Sequence, residues 1–275
     1  MKTSRVTRTV DGRCSGFTMT ELLIVIAIIF ILASLLLPTL SRAKDGALAT
    51  SCRNNLRQLG LALNMYVSET GVFPTAKTDD QGFLDWARWK VALSPYVARG
   101  PEIRTATGIR MESPTFNCPS KKGARVKVLL PGLTGEGELV ATEVSTSYSY
   151  NGYGSDDFYG MKDRGLFGAW DPKAFIPARE AQVVAPANMI GLADGFMRAG
   201  NKIVGGGTEV LFRGNDWVQG PVDSTSEEIA RKRHNGKANV VFLDNHIEFL
   251  RNQLLFLGNT REMLARWNKD NDPHL

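Results

Sequence analysis

The apolar run from Leu22 to Leu37 constrains this chain more than any other feature. From Phe17 to Leu37 the one charged residue is Glu21, at the mouth of the run. The segment is longer than an ordinary signal core and just long enough to cross a bilayer as a helix. Ahead of it lies a basic leader, with Lys2, Arg5, Arg8 and Arg13 against Asp11. A secretory signal and an uncleaved anchor both begin this way. The small-residue cleavage site of a secretory signal is missing, because Leu37 is followed by Pro-Thr-Leu-Ser-Arg-Ala.

The helical pattern does not stop at Leu37. Beyond Pro38, apolar residues recur at Leu40, Ala43, Ala47 or Leu48, Cys52, Leu56, Leu59, Leu63 and Tyr66, in steps of three and four. Arg42, Lys44, Asp45, Arg53, Asn54, Arg57 and Asn64 fall mostly off that line. The spacing predicts one helix from about Phe17 to about Val67, bent or loosened at Pro38 and ended by Glu69-Thr70-Gly71. Only its first half suits lipid. The second half carries one stripe and must lie on something.

The rest reads as a folded domain, since 43% hydrophobic and 22% charged residues are ordinary globular values. A second amphipathic helix is predicted over 84–97, then a loop over 101–114. Strands are predicted over 125–130, 139–144, 145–150 and 188–192, and 151–168 reads as a loop. A hairpin pairs 239–243 with 247–250 across Asp244-Asn245, and a last short helix covers 260–267. The fold class is therefore α+β: a long N-terminal helix on a mainly antiparallel sheet. Three regions follow, namely a leader at 1–16, the helix at 17–70 with its membrane part at about 17–40, and a globular α+β domain at 71–275. The net charge of +5 sits largely in the leader and argues against a nucleic-acid partner.

Gly16-Phe17-Thr18-Met19-Thr20-Glu21, with the run Leu-Leu-Ile-Val-Ile-Ala-Ile-Ile behind it, closely resembles the signal of type IV prepilins and type II secretion pseudopilins. The resemblance implies cleavage between Gly16 and Phe17 by a prepilin peptidase in the inner membrane, and methylation of the new Phe17 amine. It places Pro38 where that family often bends its helix. It also makes Glu21 an assembly residue, because a carboxylate at membrane depth needs a partner and the freed amine of a neighbouring subunit can be one. The alternative is that Glu21 marks the membrane surface. Asn54-Asn55-Leu56-Arg57-Gln58-Leu59, Cys118-Pro119-Ser120, Ala193-Asp194-Gly195 and the stretch from Arg233-His234-Asn235-Gly236 to Asp244-Asn245-His246 look like the large-domain form of the same family. Asn245 stands where that family commonly has glycine, and Asn tolerates the left-handed turn.

Three cysteines occur, Cys14, Cys52 and Cys118, in no metal or redox spacing. Loss of the leader removes Cys14. Cys52 lies on the stripe that should pack on the domain carrying Cys118, so the two either form a disulfide or stay as buried thiols. Asp194, His234, Asp244 and His246 are the one metal-binding candidate set, suited to zinc better than to calcium; as turn residues they would instead cap hairpin backbone. Asp156 and Asp157 are a weaker calcium pair. No cofactor is otherwise indicated, and GxSxG, HExxH and P-loop patterns are absent.

The reading is a structural subunit and not an enzyme. It is a pseudopilin of the inner membrane, with its C-terminal domain in the periplasm, that assembles with copies of itself and other pseudopilins on a secretion or pilus platform. The alternative is a membrane-anchored module that binds a polymer or glycan.

Overall fold

In a computed structural model of the protein, the stripe along residues 52–67 is the buried face of one helix running Met19–Thr70. The structure describes residues 18–75, 77–78, 84–85, 88–97, 102–105, 108–111, 113–120, 126–130, 140–144, 147–155, 163–171, 174–199, 202–205, 231 and 233–274. The chain divides into two compact units, residues 1–44 and 45–275. The stripe-bearing half of the helix therefore belongs to the globular unit. Cys52, Leu56, Leu59, Gly60, Ala62, Leu63 and Val67 are its buried residues, two helical turns repeating every seven. The helix runs on through Pro38. It stops at Gly71, whose φ of 72° is the left-handed conformation that ends helices without a Cβ penalty. The Gly71 N–H donates to the Val67 carbonyl at 2.7 Å.

The helix lies on a four-stranded antiparallel sheet, ordered 247–251, 237–242, 190–194, 148–150. Residues alternate along the central strand Lys237–Phe242. Val241 joins the core beneath the helix, with Leu192, Tyr148, Tyr150 and Trp89. Ala238, Val240 and Phe242 point the other way, into a second core with Phe196, Leu255, Phe256, Met263 and Trp267. The C-terminal helices Asn252–Leu257 and Arg261–Ala265 close that second face. The sheet is thus covered on both sides, which explains why its central strands are buried at nearly every position. A register shift between Ile190 and Leu192, a bulge at Gly191, puts Ile190 and Ala193 on the same side. Asp194 consequently turns toward the helix.

Two predicted elements differ from the structure. The helix expected over 84–97 is confined to Arg88–Leu93, with Ser94–Tyr96 as a 3-10 turn and Leu84–Asp85 paired to Lys77–Thr78 as strand. Pro95, which has no N–H to give the Val91 carbonyl, accounts for the end of the α-helix at Leu93, while the strand pairing of Leu84–Asp85 takes the start of the expected helix. The loop expected over 101–114 contains a hairpin, Glu102–Thr105 with Gly108–Met111. Further hairpins pair Val126–Leu130 with Val140–Val144, Ala169–Asp171 with Ala174–Ile176, and Phe196–Ala199 with Lys202–Gly205. The strands of the first were expected, but their pairing was not. The other two follow Gly-rich sequence that gave no alternating signal.

Candidate functional site

Two places carry unusual chemistry. The first is the start of the long helix. Every large apolar side chain from Met19 to Leu40 is exposed, from 42% at Ile26 to 84% at Met19. An apolar helix with no buried face is stable in lipid or among other helices, not alone in water. Among the described residues this helix is the one long and apolar enough to cross a membrane, and it serves as a single-pass anchor.

Glu21 sits in its first turn and has a local role that its sequence setting also encodes. The Thr18 backbone N–H donates to Glu21 Oε2 at 2.9 Å, and the Thr18 hydroxyl donates to the same oxygen at 2.7 Å. In return the Glu21 N–H reaches Thr18 Oγ1 at 3.3 Å. This is a capping box, in which two orphan N–H groups of the helix end are satisfied reciprocally. The Thr-x-x-Glu spacing is the sequence signal of this cap. Gly16 and Phe17 lie outside the described residues, so the expected cleavage point has no structural description. Pro38 lies within the helix, with no N–H to give the Ser34 carbonyl.

The second place is where the helix is tied to the sheet. Cys52 and Cys118 form a disulfide, with Cα atoms 4.9 Å apart and a sequence separation of 66. Both cysteines are buried, and Tyr148 donates its hydroxyl to the Cys52 carbonyl at 3.2 Å. Beside them lies a polar knot centred on Asp194. Oδ1 accepts from Arg233 Nη2 at 2.8 Å, while Oδ2 accepts from the Asn239 backbone N–H and its amide nitrogen, each at 2.8 Å. His234 Nε2 stands 3.4 Å from Oδ2 and 3.6 Å from Cys118 Sγ. Burial works to raise the Asp194 pKa. The Arg233 charge, the contact with His234 and the Asn239 N–H together prevail and hold it below the usual carboxylate value. Arg233 also donates to the carbonyls of Ser147 and Gly195 and lies over the Phe196 ring. A run of left-handed residues, His234, Asn235 and Gly236, turns the chain so that Arg233 and His234 both face inward.

The four metal candidates are split by the fold. Asp194 and His234 belong to this buried knot. Asp244 and His246 lie on the turn of the last hairpin, half-exposed, where Asp244 Oδ1 accepts the His246 backbone N–H at 3.0 Å and meets its ring at 2.5 Å. Burial tends to raise the Asp244 pKa, but these bonds to His246 outweigh it and lower the value. The His246 ring stacks on Phe242 at 4.3 Å and faces Glu248 at 3.5 Å. Asn245 at the tip has φ 76°. Among the described residues, the set of three possible ligands brought together is Cys52, Cys118 and His234. Asp156 and Asp157 lie outside the described residues. Arg233, quoted from sequence only as part of a family-like stretch, and Asn239 both fix Asp194, a role that no spacing announces for contacts across a sheet.

Comparison with known proteins bears on both places. The family profile described as "Prokaryotic N-terminal methylation motif" matches residues 11–37. The profile described as "Protein of unknown function (DUF1559)" matches residues 41–183, just over half of the chain. Over 63 residues, 23% of this chain, the sequence is 32% identical to the type II secretion system core protein G of Pseudomonas aeruginosa. The match spans 44% of that protein's length. No solved structure matches the chain. A methylation motif on an exposed apolar helix and the likeness to a secretion-system pseudopilin make the protein pilin-like, and its globular half places it by family: the chain belongs to the family "Protein of unknown function (DUF1559)".

Proposed function

We propose that this pilin-like protein is a structural subunit and not an enzyme. A prepilin peptidase cuts it after Gly16 and Phe17 is N-methylated. The helix from Phe17 to about residue 40 holds the product in the inner membrane, with residues 71–275 in the periplasm. From there it assembles through that helix, with copies of itself and other pseudopilins, on the platform of a type II secretion system or a related pilus. The observation that carries this reading is the exposed apolar helix from Met19 to Leu40, most of which lies within the matched methylation motif. Lipid covers such a helix in the stored subunit, and neighbouring helices cover it in a filament.

Glu21 then has two successive partners. In the single subunit its carboxylate caps Thr18. In the assembly it pairs with the Phe17 amine of a neighbour and sets the axial stagger. Mass spectrometry of the mature protein tests the first step: N-methyl-Phe17 is expected, and an intact Met1 or an N-terminus after Leu40 refutes it. Glu21→Gln tests the second step, because it keeps an acceptor for the Thr18 N–H and loses the charge. Both Glu21→Gln and Glu21→Ala should fail to enter filaments or cross-linked ladders. A Gln variant that assembles like the wild type would leave capping, and not charge pairing, as the role of Glu21.

A further inference from the structure

The junction between the helix and the sheet is also a set of metal ligands in waiting. Cys52 Sγ, Cys118 Sγ and His234 Nε2 all lie within 4.8 Å of one another, and all three residues are buried. The His234 Nε2 to Cys118 Sγ distance is 3.6 Å. With Zn–S near 2.3 Å and Zn–N near 2.1 Å, tetrahedral zinc sets its sulfur and nitrogen ligands about 3.6 Å apart. This pair already has that separation. Two zinc-bound sulfurs stand about 3.8 Å apart, which scission of the disulfide and a small side-chain rotation supply. We propose that the reduced protein binds one zinc ion between Cys52, Cys118 and His234. The proposal is independent of how the protein assembles.

The chemistry balances with a phosphine reductant. The phosphine takes an oxygen from water and is oxidised to its oxide. Its two electrons break the S–S bond, and the two protons of that water leave Cys52 and Cys118 as thiols. Zinc then displaces both thiol protons to solvent, and His234 gives the lone pair of Nε2. Two thiolates, one Zn²⁺ and a neutral imidazole sum to zero charge, so the centre can stay buried where two thiolates alone could not. Asp194 does not block it. When Nε2 turns to the metal, Oδ2 keeps both Asn239 donors and Oδ1 keeps Arg233. The left-handed backbone at His234 fixes the ring on this side, and three protein ligands leave a fourth position for water.

The test uses the full chain in detergent, carrying Cys14→Ser so that the pair is the one source of thiol. The protein is reduced without oxygen by a water-soluble phosphine, desalted and titrated with Co²⁺, then with Zn²⁺. One equivalent of cobalt should give sulfur-to-cobalt charge-transfer absorption and the d–d bands of a four-coordinate ion, which zinc then removes. Protein left oxidised should show neither. His234→Asn should weaken cobalt binding by on the order of 100-fold, at least the loss seen when an outer-shell partner is removed. His246→Asn, on the distant hairpin turn, should bind as the parent does. X-ray absorption of the zinc-loaded parent gives a readout that no variant's folding can confuse, and two sulfurs with a nitrogen or oxygen shell are expected. Reduced protein that binds no cobalt, binding unchanged by His234→Asn, or a zinc spectrum without sulfur would each overturn the site.

Discussion

Replacing Cys52 and Cys118 together by alanine should unfold the globular unit far more readily than any single contact in it suggests. The bridge closes a loop with a sequence separation of 66 between the long helix and the segment under the sheet. In the chain-entropy description a loop of that size withholds about 4 kcal/mol from the unfolded state. Both cysteines are already out of water, and alanine leaves only a sulfur-sized void at each. The loss is therefore dominated by the crosslink. A domain of a few hundred residues has a urea slope of about 2 to 3 kcal/mol per molar, so the midpoint should fall by about 1.3 to 2 M. The slope itself should rise, because the uncrosslinked chain expands further when it unfolds. Tryptophan fluorescence follows the transition in both cores, since Trp89 lies in one and Trp267 in the other, each fully buried. A non-reduced wild type and a double-alanine variant with coincident midpoints would refute the reasoning. Adding a phosphine to the wild type should reproduce the variant in the presence of a chelator.

Asp194→Ala leaves Arg233 buried without its carboxylate, and a broken buried pair costs about 3 to 5 kcal/mol, which the same urea transition would show. The pH dependence of stability follows the lowered Asp194 pKa. A carboxyl whose folded value lies below its unfolded value of about 3.9 contributes fully above that value and loses its contribution as pH falls through the folded one. Midpoints measured at descending pH should therefore drop below about pH 4, less steeply in Asp194→Asn, and equal slopes would contradict the assignment. Gly60→Ala should destabilise despite a helix-propensity gain of about 1 kcal/mol. A Cβ there would stand 2.2 Å from Asn245 Oδ1 and 2.7 Å from Val241 Cγ1, and overpacking costs about 1 to 3 kcal/mol. Adding Asn245→Gly, which removes the nearer clash and suits φ 76°, should restore part of the loss, whereas a Gly60→Ala protein more stable than wild type would be the opposite result.

What the sequence made legible has a physical pattern. The long helix could be read because its signal is local: an apolar run, then a stripe at steps of three and four ending in Gly71. The hairpin around Asn245 could be read for the same reason. The antiparallel sheet was foreseeable as a class, yet its order was not, because strand 148–150 meets 190–194 across the intervening residues 151–189, which leave no periodic mark. The metal candidates show the limit most clearly. Asp194, His234, Asp244 and His246 are alike in type, and the last three lie within thirteen residues, but the strand 237–242 carries Asp244 and His246 to the hairpin tip while His234 stays with Asp194 and Arg233. Cys118 joins His234 from far along the chain, which spacing alone does not disclose.

The place of Cys52 on the helix connects these features. It is the first fully buried residue of the stripe, and the residues before it along the helix are exposed or only partly covered. A helix whose first half is anchored in a membrane would pass any pull to the globular unit through the earliest contact of that stripe. Leu56, Leu59 and Leu63 follow one turn apart, each contributing about 1.5 to 3 kcal/mol of burial, so an uncrosslinked stripe could open one residue at a time from that end. A covalent bond at Cys52 removes the low-energy starting point for such opening. It requires the later contacts to fail together. The buried knot of Asp194, Arg233 and Asn239 sits against the same junction and holds the turn that carries His234. The fold therefore places both its crosslink and this buried ion pair at the start of the buried stripe.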